Sequence, residues 1–155
     1  MTVIDKKVNV FIGVKVLDDD HEMNETLKEM FEMHRMTNVH VYFYTDSDNF
    51  LKRFDENIHL AIIDHELKGS PLNGVQVMTI LRGQYPKCQI IFCSGTDDPK
   101  VLKTVMKKIR PEGYVDKDEP NYLDELVSEA ERLLVEIRKN FEFAWALEKI
   151  KPYER

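Results

Sequence analysis

Strand-like and helix-like patterns alternate five times along this chain of 155 residues. Short apolar runs predict strands at residues 8–17, 39–44, 60–64, 89–93 and 113–115. Apolar residues at helical spacing predict helices at residues 22–34, 46–55, 75–84, 99–109 and from Pro120 to at least Lys139. Because this alternation joins parallel strands, we expect an α/β protein, a doubly wound five-stranded parallel sheet with helices on both faces.

The apolar run at residues 60–63 stops at a carboxylate, Asp64. Such a run before a polar loop predicts a strand that is buried on both faces. Asp64 would then lie at the carboxyl end of that strand, the edge where open α/β sheets bind ligands.

Short polar residues mark where the predicted helices begin. Asp20 is expected to cap the first helix, Asp46 or Ser47 the second, and Asp97 or Asp98 the fourth, because side chains of this type accept hydrogen bonds from free backbone N–H groups.

Composition excludes several classes of protein. With a net charge of −6, the chain lacks the excess of basic residues that is typical of a nucleic-acid-binding protein. No apolar run reaches the roughly 20 residues of a membrane span, and the first residues lack the apolar segment of a secretory signal. Cys88 and Cys93 would lie about 16 Å apart on one strand, too far for a disulfide. We therefore expect free thiols and a cytoplasmic protein.

Residues 1–139 are predicted to form one domain, and residues 140–155 a helical extension that is too short to be a separate output domain. The extension is rich in apolar side chains that no predicted strand would cover: Phe141, Ala144, Trp145 and Ile150. They either fold back on the domain or contact a second copy or another partner. Aromatic clusters are typical of interfaces, which favours a homodimer or partner contact through this helix.

Four predicted strands end in residues suited to phosphoryl chemistry. Asp18 and Asp19 follow the first strand, Asp64 ends the third, Ser94 follows the fourth, and Lys117 lies just beyond the fifth. The carboxyl ends of parallel strands share one edge of a sheet, so these side chains should meet there.

Each of these residue types has a chemical role at such a site. Clustered carboxylates suit a hard cation such as Mg²⁺. Asp64 could attack a phosphoryl group and form an aspartyl phosphate. Lys117 and Ser94 could each donate to a phosphoryl oxygen. The pattern predicts phosphoryl transfer to Asp64.

The motifs at these strand ends resemble the receiver domain of two-component response regulators over about residues 14–139. The matching stretches are VKVLDD at 14–19, LAIID at 60–64, GVQVMTILR at 74–82, IIFCSG at 90–95 and GYVDK at 113–117.

The resemblance implies a flavodoxin-like sheet with strand order 2-1-3-4-5 and a bound Mg²⁺. It also implies a role for each site residue: Asp64 as phosphoacceptor; Asp18, Asp19 and the backbone carbonyl of Glu66 as further metal ligands; Ser94 as the switch hydroxyl; Tyr114 as the switch aromatic; and Lys117 as the family's site lysine.

Two positions depart from the family pattern. Gly74 follows Asp64 by ten residues where the family usually has eight, which predicts a longer loop at 68–73. Asp118 follows Lys117 where a proline is typical, so the turn after the fifth strand is expected to differ.

The resemblance further implies a switch that phosphorylates and dephosphorylates itself without substrate turnover. A histidine kinase or phosphotransfer protein would supply the phosphoryl group. A downstream protein would bind the face of helix four, strand five and helix five. Helix four carries a stripe of basic residues that would suit an acidic partner: Lys100, Lys103, Lys107 and Arg110.

Two other functions use the same residue types. A haloacid-dehalogenase-like phosphatase also has an Asp nucleophile, a Lys and an acidic pair, but its nucleophile comes first in the chain, whereas here Asp18 and Asp19 precede Asp64. An unphosphorylated scaffold or dimerisation module would use the helical extension alone, and the complete acidic set argues against it.

Overall fold

The computed structural model describes residues 11–34, 37–95 and 98–150. In these ranges the chain forms five strands and five helices that alternate along the sequence. The strands are β1 (Ile12–Leu17), β2 (Val39–Tyr44), β3 (Ile58–Asp64), β4 (Gln89–Ser94) and β5 (Gly113–Asp116). The helices are α1 (His21–Met33), α2 (Ser47–Leu51), α3 (Gly74–Gln84), α4 (Pro99–Thr104, continued by a π-helical turn at Val105–Ile109) and α5 (Tyr122–Ile150).

All strand pairs are parallel and the sheet order is β2-β1-β3-β4-β5, which confirms the predicted flavodoxin-like order. The central strand β3 is buried at six of its seven positions. From Leu60 to Ile63 its side chains alternate between two apolar clusters, one against α1 and α5 and the other against α2, α3 and the turn after α4. The continuous apolar run before Asp64 therefore has a packing partner on each face.

Capping residues fix the helix starts. Asp20, Asp46 and Asp98 each accept a backbone N–H from the first turn of α1, α2 and α4, as predicted for Asp20 and as one of two alternatives for the others. Asn73 and Gln76 form a reciprocal capping box at α3. Asp97 and the predicted strand residues 8–10 lie outside the described residues.

Helices α2 and α4 differ from prediction, the first in length and the second in geometry. Helix α2 ends at Leu51, four residues earlier than predicted, because Lys52 leaves helical geometry and Arg53 takes a left-handed φ of 58°. The fourth helix has the predicted extent, but its last turn is π-helical and stops at Arg110, where φ is 54°.

Helix α5 is 29 residues long and starts at Tyr122, two residues after the predicted Pro120. Its first half packs on the sheet through six buried residues: Leu126, Val127, Ala130, Leu133, Leu134 and Ile137. Phe141 is half-buried and meets His59 edge to face, with ring centroids 5.0 Å apart. Part of the extension therefore folds back on the domain, the first of the two alternatives.

Two exclusions from composition have structural counterparts. Cys88 and Cys93 are buried free thiols, as predicted. Among the helices described, none has the length and apolar character needed to cross a membrane.

Candidate functional site

Three carboxylates meet at the carboxyl edge of the sheet. Asp18 and Asp19 follow β1 and Asp64 ends β3, and one oxygen from each lies within 4.8 Å of the others. Asp18 and Asp64 are buried, whereas Asp19 is half-exposed. The predicted convergence of these acids is therefore present in the fold.

Hydrogen bonds hold the acidic pair in place. Asp18 Oδ1 accepts the backbone N–H of Asp20 at 2.9 Å, and Asp18 O accepts from the buried amide of Asn24 at 3.0 Å. Asp19 Oδ2 accepts the backbone N–H of Lys68 at 2.9 Å. Helix α1 and the loop after β3 thus orient the two acids from opposite sides.

Lys117 brings a positive charge into the cluster from the far side of β4. Its Nζ lies 3.0 Å from Asp18 Oδ2 and 3.3 Å from Asp64 Oδ1. Its backbone N–H donates to the carbonyl of Ser94 at 3.1 Å, which fixes the start of the loop after β5. Burial alone would lower the pKa of Lys117, but the charges of Asp18 and Asp64 outweigh it and raise the pKa, so the amine is fully protonated.

Asp64 has an unusual charge environment. Burial, followed by the negative charge of Asp18, raises the pKa of Asp64 to about 7, against the opposing effect of Lys117. Burial likewise raises the pKa of Asp18. One lysine does not neutralise three carboxylates, so the cluster favours a further cation.

The donor set fits a divalent cation. Carboxylate oxygens are the ligands of hard ions, and Mg²⁺ combines one or two of them with water and phosphate oxygens. Asp18, Asp19 and Asp64 are the side chains that would hold it. Glu66 is exposed two residues beyond Asp64, and the role of its backbone carbonyl as a ligand remains a prediction.

Ser94 and Tyr114 lie on the neighbouring strands. Ser94 ends β4 and is buried, one position beyond Cys93, the residue that pairs with Asp64 across the sheet. Tyr114 in β5 is half-buried, and its ring centroid is 5.9 Å from that of Phe92. Their roles as switch residues remain predictions.

The long loop after Asp64 returns to it at Gly74. The Gly74 N–H donates to the carbonyl of His65 at 3.0 Å, and a Cβ at this position would collide with the carbonyl oxygen of Asp64. Ser70 anchors the middle of the loop, since its hydroxyl donates to Ser47 Oγ at 2.9 Å. Gly74 lies ten positions after Asp64 in the sequence and packs directly against it in the fold.

The turn after β5 carries an acid in place of the proline that the family pattern has there. Asp118 donates its N–H to Asp116 Oδ1 at 2.9 Å, and no cis peptide bond occurs among the described residues. A Cβ on Gly95 would lie 3.0 Å from Asp118 Oδ1, so this carboxylate lies over the residue that follows Ser94. The turn is thus fixed by a side-chain hydrogen bond.

Sequence patterns did not identify Asn24 or Lys68 as supports of the acidic pair. Asn24 could have been found, because it is a polar residue at helical spacing from Leu27 and Phe31 on the buried side of α1. The contribution of Lys68 comes from its backbone N–H, for which the sequence carries no signal.

The family model for the response regulator receiver domain matches residues 14–130. A comparison with curated protein sequences finds no match.

Among solved structures, a CheY-like response regulator receiver domain protein from Methanospirillum hungatei superposes with a TM-score of 0.69 at 18% identity, covering 84% of this chain and 98% of that one. The receiver domain of NtrX from Brucella abortus gives 0.65 at 21%, covering 77% and 95%. The response regulator DrrB from Thermotoga maritima gives 0.66 at 20%, covering 81% of this chain but only 54% of DrrB. These structures support the fold.

Proposed function

This chain belongs to the response regulator receiver domain family, and from that membership we propose that it is a phosphoacceptor switch whose acceptor is Asp64. Receiver domains are signalling switches and are generally not turnover enzymes. The observation that carries the proposal is the Lys117 amine, 3.0 Å from Asp18 and 3.3 Å from Asp64 within the acidic cluster.

In the proposed reaction an Asp64 carboxylate oxygen attacks the phosphorus of a phosphohistidine. The new O–P bond forms as the P–N bond breaks, and the electron pair leaves with the imidazole nitrogen, which then takes up a proton. A Mg²⁺ ion held by Asp18, Asp19 and Asp64 would supply charge neutralisation for the transferred phosphoryl group.

The protein's own contribution is position and charge. Asp64 is held at the end of a strand whose residues 60–63 pair on both sides, so its carboxylate is positioned before the donor arrives. Lys117 can move from the carboxylates to a phosphoryl oxygen, and Ser94 can donate its hydroxyl to another. We propose that Tyr114 then repacks against β4 and carries the change to the surface.

We propose a histidine kinase or phosphotransfer protein as the donor and the α4–β5–α5 face as the output surface. Lys100, Lys103, Lys107 and Arg110 are all exposed there, which supports an acidic protein partner. One structural neighbour, RcsB, was solved bound to promoter DNA. The net charge of −6 supports a protein partner, and no nucleic acid, for the residues here. A cytoplasmic location remains a prediction that rests on the free thiols.

Intact mass measurement after incubation with acetyl phosphate and Mg²⁺ tests the proposal. The wild-type chain should gain one phosphoryl group and the Asp64→Asn variant none, because the amide is not a nucleophile. Asp20→Asn is the matched control: it removes a neighbouring charge, keeps an acceptor for the N–H of Met23 and should still be phosphorylated.

Two outcomes would support the alternatives. Sustained hydrolysis of p-nitrophenyl phosphate that depends on Asp64 would support a haloacid-dehalogenase-like phosphatase. A wild-type chain without an adduct, under conditions that preserve acyl phosphates, would support the unphosphorylated scaffold.

A further inference from the structure

A groove of about 600 Å³ lies at the amino edge of the sheet, opposite the acidic cluster. We call it the basal groove. Helix α5 forms one wall and the starts of β3 and β4, with the loop before β4, form the other. The residues that give it an apolar lining are Ile58, Tyr85, Pro86, Ile137, Phe141 and Ala144. This volume lies in the range of sites that enclose another molecule's side chains or a small ligand.

A second apolar surface lies on the same helix. Phe143, Leu147 and Ile150 are 66%, 47% and 50% exposed and form what we call the ridge. At 3.6 residues per turn the ridge occupies a narrow stripe, about a third of a turn from the side that carries Ile137 and Phe141. The spacing of four and then three residues is that of a helix-pairing seam.

The helix cannot turn its ridge into its own groove, because Phe141 packs on His59 and fixes the rotation of α5. The charged residues beside the ridge do not cover it either. Lys149, for example, lies over the Trp145 ring, 5.0 Å from its centroid. A concave and a convex apolar surface therefore stand side by side on one molecule, each without a cover from the described residues.

We propose that a second copy of this chain covers both surfaces, with the ridge of each copy packed into the basal groove of the other. A single two-fold axis can cover both surfaces, because in an isologous dimer the ridge of each copy contacts the groove of the other. Ala144 lies between the two surfaces, and its small side chain lets the helices approach closely. A stable interface needs roughly 1,000 Å² in total, and the reciprocal contact engages four apolar surfaces, two on each copy.

Sedimentation velocity of the unphosphorylated chain without Mg²⁺ tests the dimer separately from any chemistry at Asp64. The wild type should dimerise as its concentration rises through the micromolar range. Leu147→Asp should weaken the dimer roughly tenfold or more, because the new carboxylate would be buried without a partner. Val135→Asp is the matched control: Val135 is 55% exposed on the same helix, lies outside the ridge and the groove, and its variant should dimerise normally.

A spin label tests whether the ridge enters the groove. The label is attached through Lys149→Cys, since burial raises the pKa of the Cys88 thiol to about 12 and raises that of Cys93 further, leaving both unreactive. When this spin-labelled variant is mixed with isotope-labelled wild type, it should broaden the backbone amide signals of residues 84, 85 and 87–89 in the wild-type copy.

Three results would overturn the proposal: a wild type that stays monomeric, a dimer that Leu147→Asp leaves intact, or a dimer without broadening at residues 84, 85 and 87–89. In a monomer, groove amides that shift on adding 1-anilinonaphthalene-8-sulfonate would assign the groove to a small apolar ligand instead.

Discussion

Lys15 shows how one side chain can decide where an element ends. It is only 3% exposed, and its ammonium donates to the carbonyls of Phe50 at 2.9 Å and Lys52 at 3.1 Å. It also lies 4.7 Å from the centroid of the Tyr44 ring. The Lys15 ammonium thus takes the place of the backbone N–H groups that would bond these carbonyls if α2 continued to residue 55. A lysine inside the first strand gives no hint of this, because its partners come from another segment of the chain.

His59, at the start of β3, is a half-buried titratable group. Its Nδ1 accepts the N–H of Gly13 at 3.0 Å, which requires a neutral ring with its proton on Nε2. Burial lowers the pKa of His59, and the charge of Asp55 only partly opposes this. The neutral ring is therefore favoured in the folded state.

We predict that His59 makes folding stability depend on pH. Because its pKa is lower in the folded chain, its contribution is complete above the unfolded pKa of about 6.5 and is lost as pH falls below that value. Urea unfolding at mildly acidic and neutral pH should show a steeper loss of stability in the wild type than in His59→Asn, whose Oδ1 can still accept from Gly13. Equal slopes would show that this ring does not control the pH dependence.

At the scale of elements, the sequence predicted those features that depend on neighbouring residues in the chain. The strands, their order and the cap at Asp20 follow from apolar runs, the family resemblance and side-chain acceptors, and the cap at Asp98 is one of two alternatives that the sequence left open. The convergence of Asp18, Asp64 and Lys117 follows from the geometry of parallel strand ends. The π-helical turn at Val105–Ile109 could not be predicted, because α-helical spacing continues through it and tertiary packing sets its last turn.

The loop from β3 to α3 is the element that holds the acceptor. We predict that Gly74→Ala destabilises the fold by about 1–3 kcal/mol, since the new Cβ would press on the Asp64 carbonyl and nothing nearby is flexible. Phosphorylation by acetyl phosphate should also slow, because the Asp64 backbone must shift.

Gly83→Ala in the same helix is the control for this prediction. Gly83 has no atom within 4 Å of an added Cβ, so alanine should stabilise the helix by up to about 1 kcal/mol. Chemical denaturation of both variants measures the difference. If Gly74→Ala left the free energy of unfolding unchanged, the loop would accommodate a side chain that its contacts argue against.

At the scale of the whole molecule, the sheet separates the carboxyl edge, where the acids meet, from the amino edge, where the basal groove lies. Repulsion among the acids is a cost that the folded chain bears in the absence of a cation. Binding a cation to the folded state alone should therefore raise the free energy of unfolding.

We predict that Mg²⁺ raises the melting temperature of the wild type. The free energy of unfolding should rise by about 2.7 kcal/mol when the Mg²⁺ concentration is a hundred times Kd. Asp19→Asn should lose most of this gain while keeping its Mg²⁺-free stability, because the amide oxygen still accepts from the Lys68 N–H. Thermal melts of both chains with and without MgCl₂ measure it. An unchanged gain in Asp19→Asn would remove this residue from the ligand set.

Strand β3 joins these two edges, with His59 near its first residue and Asp64 as its last. Five residues of extended chain place them about 16 Å apart, and residues 60–63 between them pair with both β1 and β4. The proposed phosphoacceptor and the proposed dimer surface therefore lie at opposite ends of one strand. If the dimer forms as proposed, substitutions in the last three turns of α5 should change assembly and leave the phosphorylation rate of Asp64 unchanged.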